Sequence, residues 1–182
     1  MARLFVSLNL PEEIRDKINA LRIEVGSKER KLKWEPKEKL HLTLKFIGDV
    51  DNDRINSIAE DLGFIENFEA INCETTRFGF FFSRSQPRIL WLGLHADKII
   101  FNLVEELNSR LEKFLIPRER KKFTSHITIL RIRGNVSEEF VKGFQNFDVP
   151  KIKFRANEIS LMNSELLPLG SVYKEIKKYK LK

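Results

Sequence analysis

Two short stretches repeat one pattern 85 positions apart: LHLTLKFIGDV around His41 and SHITILRIRGNV around His126. In each, a histidine and a threonine alternate with apolar residues, as His41-Leu42-Thr43-Leu44 and His126-Ile127-Thr128-Ile129. Such alternation marks a strand with one buried face, because successive side chains point to opposite sides. The apolar pair of each stretch points into a core, and its imidazole and hydroxyl share the other face. Any fold of this chain must therefore offer two equivalent strands, each with one wall in the core and one wall open. Two of the three histidines in the chain are committed to this frame.

The elements around each stretch match as well. Residues 3–10 alternate in a β-rich run and predict a strand. Pro11, Glu12 and Glu13 open a helix, since proline fits the first turn and carboxylates suit the positive end of the helix dipole. Ile14, Ile18, Leu21 and Val25 follow at helical spacing, with Gly26 and Ser27 as its end. Residues 31–36 form a short extended piece before the first histidine strand. Asp51 reads as the cap of a second helix running to about residue 65, with Ile55, Ile58, Ala59 and Leu62 inward. Strands are expected at 68–82 and 88–95, joined by the turn SRSQP. Asp97 opens a third helix, with Ile100, Val104, Leu107, Leu111 and Phe114 as its stripe. The basic loop IPRERKK leads into the second histidine strand. Ser137 caps a fourth helix, and strands over 151–162 and 172–178 complete the chain.

The separation from Phe5 to His41 equals that from Leu90 to His126. Strand, helix, histidine strand, glycine and helix thus occur twice in the same order. The fold class is α+β: two pseudo-symmetric lobes, each a mainly antiparallel sheet with helices on its outer face, and a cleft between them. Residues 1–182 read as one bilobal domain built from duplicated αβ units starting near Phe5 and Leu90.

Composition narrows the function classes. With 42% hydrophobic and 32% charged residues the chain is globular rather than disordered. Its first apolar run is broken by Asn9 and Pro11, too short for a signal peptide or a membrane span. The single cysteine, Cys73, excludes an intrachain disulfide and a cysteine-based zinc site, and fits a reducing, cytoplasmic setting. A net charge of +7 favours phosphate-bearing partners, although a lysine-rich solvated surface would give the same figure.

If the two open faces meet across the cleft, two imidazoles and two hydroxyls surround one small volume. Near neutrality one imidazole can accept a proton while the other donates one. The hydroxyls can hydrogen-bond the oxygens of a tetrahedral anion. A phosphodiester under attack needs these four services, and a strained 2′,3′-cyclic phosphate needs no metal besides. Two histidines fall short of the usual zinc ligand set. His95 corresponds to Leu10 in the other half and reads as a strand-end surface residue. One histidine on a strand is ordinarily structural; two on matched strands point to a site.

On these motifs, and on RLFVSLNLPEEI, HLTLKFIGDV, RILWLGL and GSVYKEI, the chain resembles the 2H phosphoesterase superfamily. Within it, the resemblance is to the RNA 2′,3′-cyclic phosphodiesterases, also called 2′-5′ RNA ligases, and it covers nearly the whole length. It implies metal-independent opening of an RNA 2′,3′-cyclic phosphate to a 2′-phosphate, with no cofactor. His126 would be the general base and His41 the general acid, and the same pair joining a 5′-hydroxyl to the cyclic phosphate would make a 2′-5′ linkage. The implied partner is RNA with a cyclic phosphate end, tRNA fragments included, acted on by a monomer with no membrane. The family often carries an arginine five residues after the second histidine, where Arg131 stands. In a regular strand that odd offset faces away from His126, so Arg131 needs a bulge, the strand end or its own length to reach the cleft. Ser125 stands where the family usually has proline.

Further residues carry weaker signals. Lys45 shares the His41 face of a regular strand and is a candidate for an RNA phosphate. Arg84, Arg88, Arg118, Arg120, Lys121 and Lys122 lie in two basic loops that can hold an RNA backbone or simply be solvated. Phe46 and Phe123 flank the motifs, but among 15 phenylalanines core packing is the default for both, as it is for Trp34 and Trp91. Two other functions fit the same residues: a non-catalytic RNA-binding module, and a cyclic phosphodiesterase for another small substrate such as ADP-ribose 1″,2″-cyclic phosphate.

Overall fold

The computed structural model of the chain describes residues 1–26, 32–167 and 170–182. Ser27 and Lys31, part of the expected helix end and extended piece, lie outside the described residues.

Strand β1 (Ala2–Asn9) and helix α1 (Glu12–Gly26) form where alternation and helical spacing place them. Strand β2 (His41–Val50) starts at the first histidine. The second helix is shorter than its stripe implies: α2 (Ile55–Asp61) is flanked by 3-10 turns at Asn52–Arg54 and Leu62–Asn67. Asp51 makes no side-chain capping bond, because a 3-10 turn and not an α-helix begins after it. Strands β3 (Ile71–Ser83) and β4 (Gln86–Ala96) form a hairpin whose turn residues, Arg84 and Ser85, both have positive φ (49° and 62°). That left-handed pair matches the twist of the flanking strands.

Asp97 precedes α3 (Ile99–Leu111) without capping it. Its carboxylate instead accepts from the backbone and side-chain nitrogens of Asn72, at 3.0 and 2.8 Å, and so ties the start of β3 to the end of β4. Strand β5 (His126–Arg131) carries the second histidine. Ser137 does cap α4 (Glu138–Gln145): its Oγ accepts from the Phe140 amide at 3.1 Å. The expected strand over 151–162 divides at Asn157 into β6 (Lys153–Ala156) and β7 (Glu158–Leu167), and β8 (Gly170–Lys180) ends the sheet.

All eight strands lie in one antiparallel sheet, in the order β6-β3-β4-β5-β2-β1-β7-β8. Asn157 alone separates β6, at one edge, from β7, seventh in that order. Consecutive Cα atoms are only about 3.8 Å apart, so the sheet must curl until the end of β6 meets the start of β7. The C-terminus closes the gap: Leu181 N donates to Asn157 O, and Lys182 exchanges backbone bonds with Phe68 and Ala70, each at 2.9 Å.

The sheet has two halves, β8-β7-β1-β2 and β5-β4-β3-β6, with helices α1 and α4 in contact, α4 against β3 and α3 against β2. Each half borrows strands from the other's stretch of chain. Strand β3 follows the first histidine strand but pairs with β4, whereas β7 follows the second and pairs with β1. The halves meet through one pair, Leu42 opposite Ile127, both 0% exposed. Burying two such side chains contributes about 4 kcal/mol, and one apolar cluster runs through both halves. Asn9 is the partner of His41 and Gly93 of His126, which is one residue off the equivalence drawn from Phe5 and Leu90. The two strand pairs carry equivalent bulges, so the shift lies in the connection from β4 to β5, one residue longer than that from β1 to β2. Among the described residues no helix is long and apolar enough to cross a membrane.

Candidate active site

The pair Leu42–Ile127 organises the site. In an antiparallel register that pairs these two, His41 lies across from Thr128 and Thr43 across from His126. The four side chains therefore stand on the face opposite the two buried aliphatics. His41 and His126 are diagonal neighbours, which in regular antiparallel geometry places them about 7–8 Å apart.

Each ring is oriented in the same way. His41 Nδ1 lies 2.7 Å from the Lys39 carbonyl oxygen, and His126 Nδ1 lies 2.7 Å from that of Thr124. A carbonyl only accepts, so Nδ1 carries the proton and Nε2 of the neutral ring keeps a lone pair. His41 Nε2 meets the Thr43 hydroxyl at 3.0 Å. Aromatic walls hold both rings: His41 stacks on Phe5 (5.1 Å between centroids) with Tyr173 edge-on at 5.6 Å, and His126 meets Phe81 edge-on at 5.0 Å with Trp91 at 6.5 Å. Trp91 lies across its cross-strand partner Gly79, where a Cβ would come within 2.3 Å of the indole. Burial pushes His41 down to about 4, the Lys39 carbonyl opposes this, and the positive charges of Arg131 and His126 add to it. Burial lowers His126 too, again with the Thr124 carbonyl opposing and Arg131 adding.

Arg131 reaches the cleft through a bulge. Trp91 pairs with Thr128 but Leu90 pairs with Leu130, so Ile129 is an extra residue in β5. Ile129 and Leu130 are both buried, and alternation resumes with Arg131 on the face of His126 and Thr128. The segment before β2 completes the bulge: Glu35 N donates to the freed Ile129 carbonyl at 3.1 Å. The same residue sets its carboxylate 3.4 Å from Arg131 Nε, and the guanidinium shares a cavity wall with the Tyr173 ring. Arg131 is thus held by Glu35 and faces the cleft with the remainder of its fork.

Strand β2 has a matching bulge with a different outcome. Ser7 pairs with Thr43 and Val6 with Lys45, so Leu44 is extra and Lys45 turns inward. Lys45 is 2% exposed and donates from Nζ to the Pro117 carbonyl at 2.7 Å. It occupies the place that Leu130 holds in β5 and ties β2 to the basic loop, so it does not present its charge to the cleft as a regular strand would have it. Phe46 follows it onto the cleft face and is 58% exposed, against the core role that composition favours. Phe123 is half-buried against the core. His95 is exposed near the end of β4.

A cavity of about 390 Å³ borders the far side of His41 and Tyr173, and two others at the four-group centre share Thr43 and Phe46. One, of about 370 Å³, lies beside His41 and is lined by Phe5, Arg131, Ser171 and Tyr173. The other, of about 870 Å³, lies beside His126 and reaches Arg120, Lys121, Lys122 and Phe123. Arg84 and Arg88 line neither. Arg118 lines neither and is tied to Glu105 and Glu112 at 2.5 and 3.1 Å. Among the described residues no three His, Cys, Asp or Glu side chains converge as a metal site would require. Sequence reasoning missed Phe5, Phe81, Glu35 and the role of Tyr173 beside the centre, because only strand register brings them there.

Known proteins resemble the chain over nearly its whole length. The family model of LigT-like phosphoesterases matches residues 8–91 and 94–173, which includes both histidine strands. The RNA 2′,3′-cyclic phosphodiesterase of Thermotoga maritima is 30% identical over 173 residues, 94% of this chain and 91% of that one. The protein of the same name from Methanothermobacter thermautotrophicus is 28% identical over 98% of both. The crystal structure of E. coli LigT complexed with 3′-AMP superposes with a TM-score of 0.79 at 25% identity, covering 100% of this chain and 98% of that one. The chain belongs to the LigT-like phosphoesterase family.

Proposed function

We propose that this cyclic phosphodiesterase acts on RNA ends, opening a terminal 2′,3′-cyclic phosphate with water to leave a 2′-phosphate. The observation that carries the reading is the face shared by His41, Thr43, His126 and Thr128 about the Leu42–Ile127 pair. The names of the relatives point to the same substrate class.

In this reading His126 Nε2 takes a proton from water as its oxygen bonds to phosphorus. On the far side the bond from phosphorus to O3′ breaks, and His41 Nε2 delivers the proton that O3′ needs. Both Nε2 atoms face the phosphate because both Nδ1 atoms are held by carbonyls. The Thr43 and Thr128 hydroxyls and the Arg131 guanidinium bind the non-bridging oxygens, where negative charge grows as the phosphorus becomes five-coordinate. In the same direction, with an RNA 5′-hydroxyl in place of water, the P–O5′ bond forms as the bond to O3′ breaks, and the same pair joins two ends in a 2′-5′ linkage. The reading extends to a monomer acting on RNA fragments, tRNA halves among them, in the cytoplasm. Cys73 suits a reducing compartment: it is buried and free, its thiol pushed up to about 12 by burial and by Asp97.

The test is incubation with a 2′,3′-cyclic mononucleotide and separation of the products. A 2′-monophosphate is expected. A 3′-monophosphate would overturn the assignment of the leaving oxygen, and recovery of intact substrate would overturn the catalytic reading.

A further inference from the structure

The cavities divide between the imidazoles. The spaces of about 370 and 390 Å³ border His41 and not His126, and the space of about 870 Å³ borders His126 and not His41. In an in-line displacement the entering and leaving oxygens stand on opposite sides of phosphorus. With His41 delivering the proton to O3′, the ribose and everything 5′ of it lie on the His41 side. The His126 cavity is then the place of the nucleophile. A water molecule fills only about 30 Å³ of it.

Its walls suit something longer. The cavity runs from Thr43 and His126 between α3 and the loop before β5. That loop is pinned: Lys45 Nζ donates to Pro117 O at 2.7 Å, and Glu119 N to Asn108 Oδ1 at 3.3 Å. Phe46 (58% exposed) and Phe101 (44%) present rings along the wall, and Phe123 meets Phe101 edge-on at 5.9 Å. Arg120, Lys121 and Lys122 line it too, all exposed, and none of the ion pairs among the described residues involves them. The two carboxylates of the lining are engaged, Glu105 with Arg118 at 2.5 Å and Glu119 with the buried Lys45 at 4.0 Å.

Unneutralised cations beside exposed rings suit a single strand of nucleic acid, whose phosphates meet the cations and whose bases stack. A nucleophile that carries a base and a phosphate is an RNA 5′ end. We infer that this cavity is an acceptor subsite: it holds the 5′-hydroxyl end of a second RNA, with its first base against the rings and its first internucleotide phosphate against the cations. His126 Nε2 takes the proton of the 5′-hydroxyl, O5′ bonds to phosphorus, the bond to O3′ breaks, and O3′ takes the proton held by His41. Placement is what lets this hydroxyl compete with water in vast excess, since a held and aligned nucleophile can gain an effective concentration of about 10⁵ M. The inference rests on the RNA-end reading above and adds to it a site for the second strand.

The experiment sets an RNA 5′ end against water. The donor is 5′-phosphorylated adenosine 2′,3′-cyclic phosphate, whose own 5′-hydroxyl is blocked, and the acceptor is the dinucleotide ApA or adenosine. Initial rates of transfer and of hydrolysis are read in one tube, so loss of folded enzyme lowers both and leaves their ratio unchanged. The ratio is expected to saturate with ApA and to exceed that with adenosine at equal concentration by about tenfold, the value of one further nucleotide. Arg120→Ser/Lys121→Ser/Lys122→Ser and Phe101→Ala should each lower the ApA ratio severalfold, and in the triple variant the ratio should no longer decline with salt. Hydrolysis without transfer, equal ratios for ApA and adenosine, or a ratio that either variant leaves unchanged overturns the subsite and leaves the RNA-end reading standing. Donor recovered intact overturns the RNA-end reading, and the acceptor subsite falls with it.

Discussion

Phe46 and Arg131 hold equivalent places in the two halves: each stands five residues past its histidine and returns to the cleft face after a bulge. One half ends its phosphate wall in an uncharged ring and the other in a cation. The centre is therefore symmetric in its imidazoles and hydroxyls and asymmetric in charge, and each half makes a separate set of expectations.

Arg131→Ala should lower kcat/KM about 10²-fold, the scale of one lost anion-stabilising donor. Its positive charge also depresses both imidazoles, so its removal raises them. The acid limb of the kcat/KM profile should move to higher pH in this variant. An unmoved limb would mean that the guanidinium does not sense the two rings. Arg131→Lys should restore charge but not the fork shared between Glu35 and the phosphate, and so recover only part of the rate.

Removing either imidazole has a larger effect. His41→Ala and His126→Ala should each cost about 10²–10⁴-fold in kcat, while Thr43→Ala and Thr128→Ala cost about 10²-fold each. Circular dichroism should show the fold retained in all four. If either histidine variant kept wild-type turnover, acid–base work by the pair would be refuted.

The two histidines also make stability depend on pH. Both are depressed from the ordinary 6.5, His41 to about 4, so the folded chain binds fewer protons than the unfolded chain as pH falls below 6.5. Their contribution is fully present above pH 6.5 and is lost as pH drops toward 4. Urea midpoints measured from about pH 7 to 4.5 should fall less steeply in His41→Ala than in the native chain. The same depression puts the acid limb of kcat/KM below 6.5. A bound anionic phosphate raises the imidazole that donates, so the alkaline limb should lie higher in kcat than in kcat/KM.

The junction between halves is a stability site. Leu42→Ala or Ile127→Ala removes a fully buried aliphatic at the one pair joining β2 and β5, and should cost about 2–5 kcal/mol in urea unfolding. Activity should fall further than stability alone explains, since this pair sets the spacing of the imidazoles. Equal losses at this pair and at Leu62, buried in the 3-10 turn after α2 and lining neither cavity at the four-group centre, would argue against that spacing role.

Gly79→Ala tests the wall behind His126. The new methyl would meet the Trp91 indole at 2.3 Å, so the ring must move. A loss of about 1–3 kcal/mol is expected, with reduced turnover because Trp91 lines the His126 ring. Unchanged indole fluorescence and unchanged rate would show that the ring position is not needed.

Local chemistry carried the elements and the motif. Alternation in HLTL and HITI determined which side chains of each strand face together, and Ser137 announced the start of α4 as a free cap does. The same reasoning failed wherever the answer depended on a partner. The break at Asn157 is invisible in an alternating run, because period-2 patterning reports a face and not the neighbouring strand. Asp97 looks like a cap until Asn72 claims its carboxylate. Lys45 looks like a cleft residue until a bulge turns it inward, and Phe46 looks like core until the same bulge turns it out.

The sequence by itself determined that two imidazoles and two hydroxyls would lie on open faces of two equivalent strands, since that follows from the geometry of a single strand. Only the tertiary structure decided that those faces are one face. The Leu42–Ile127 pairing joins residues far apart in the chain, and the bulges that aim Arg131 and Phe46 arise from register between strands, which no local pattern encodes.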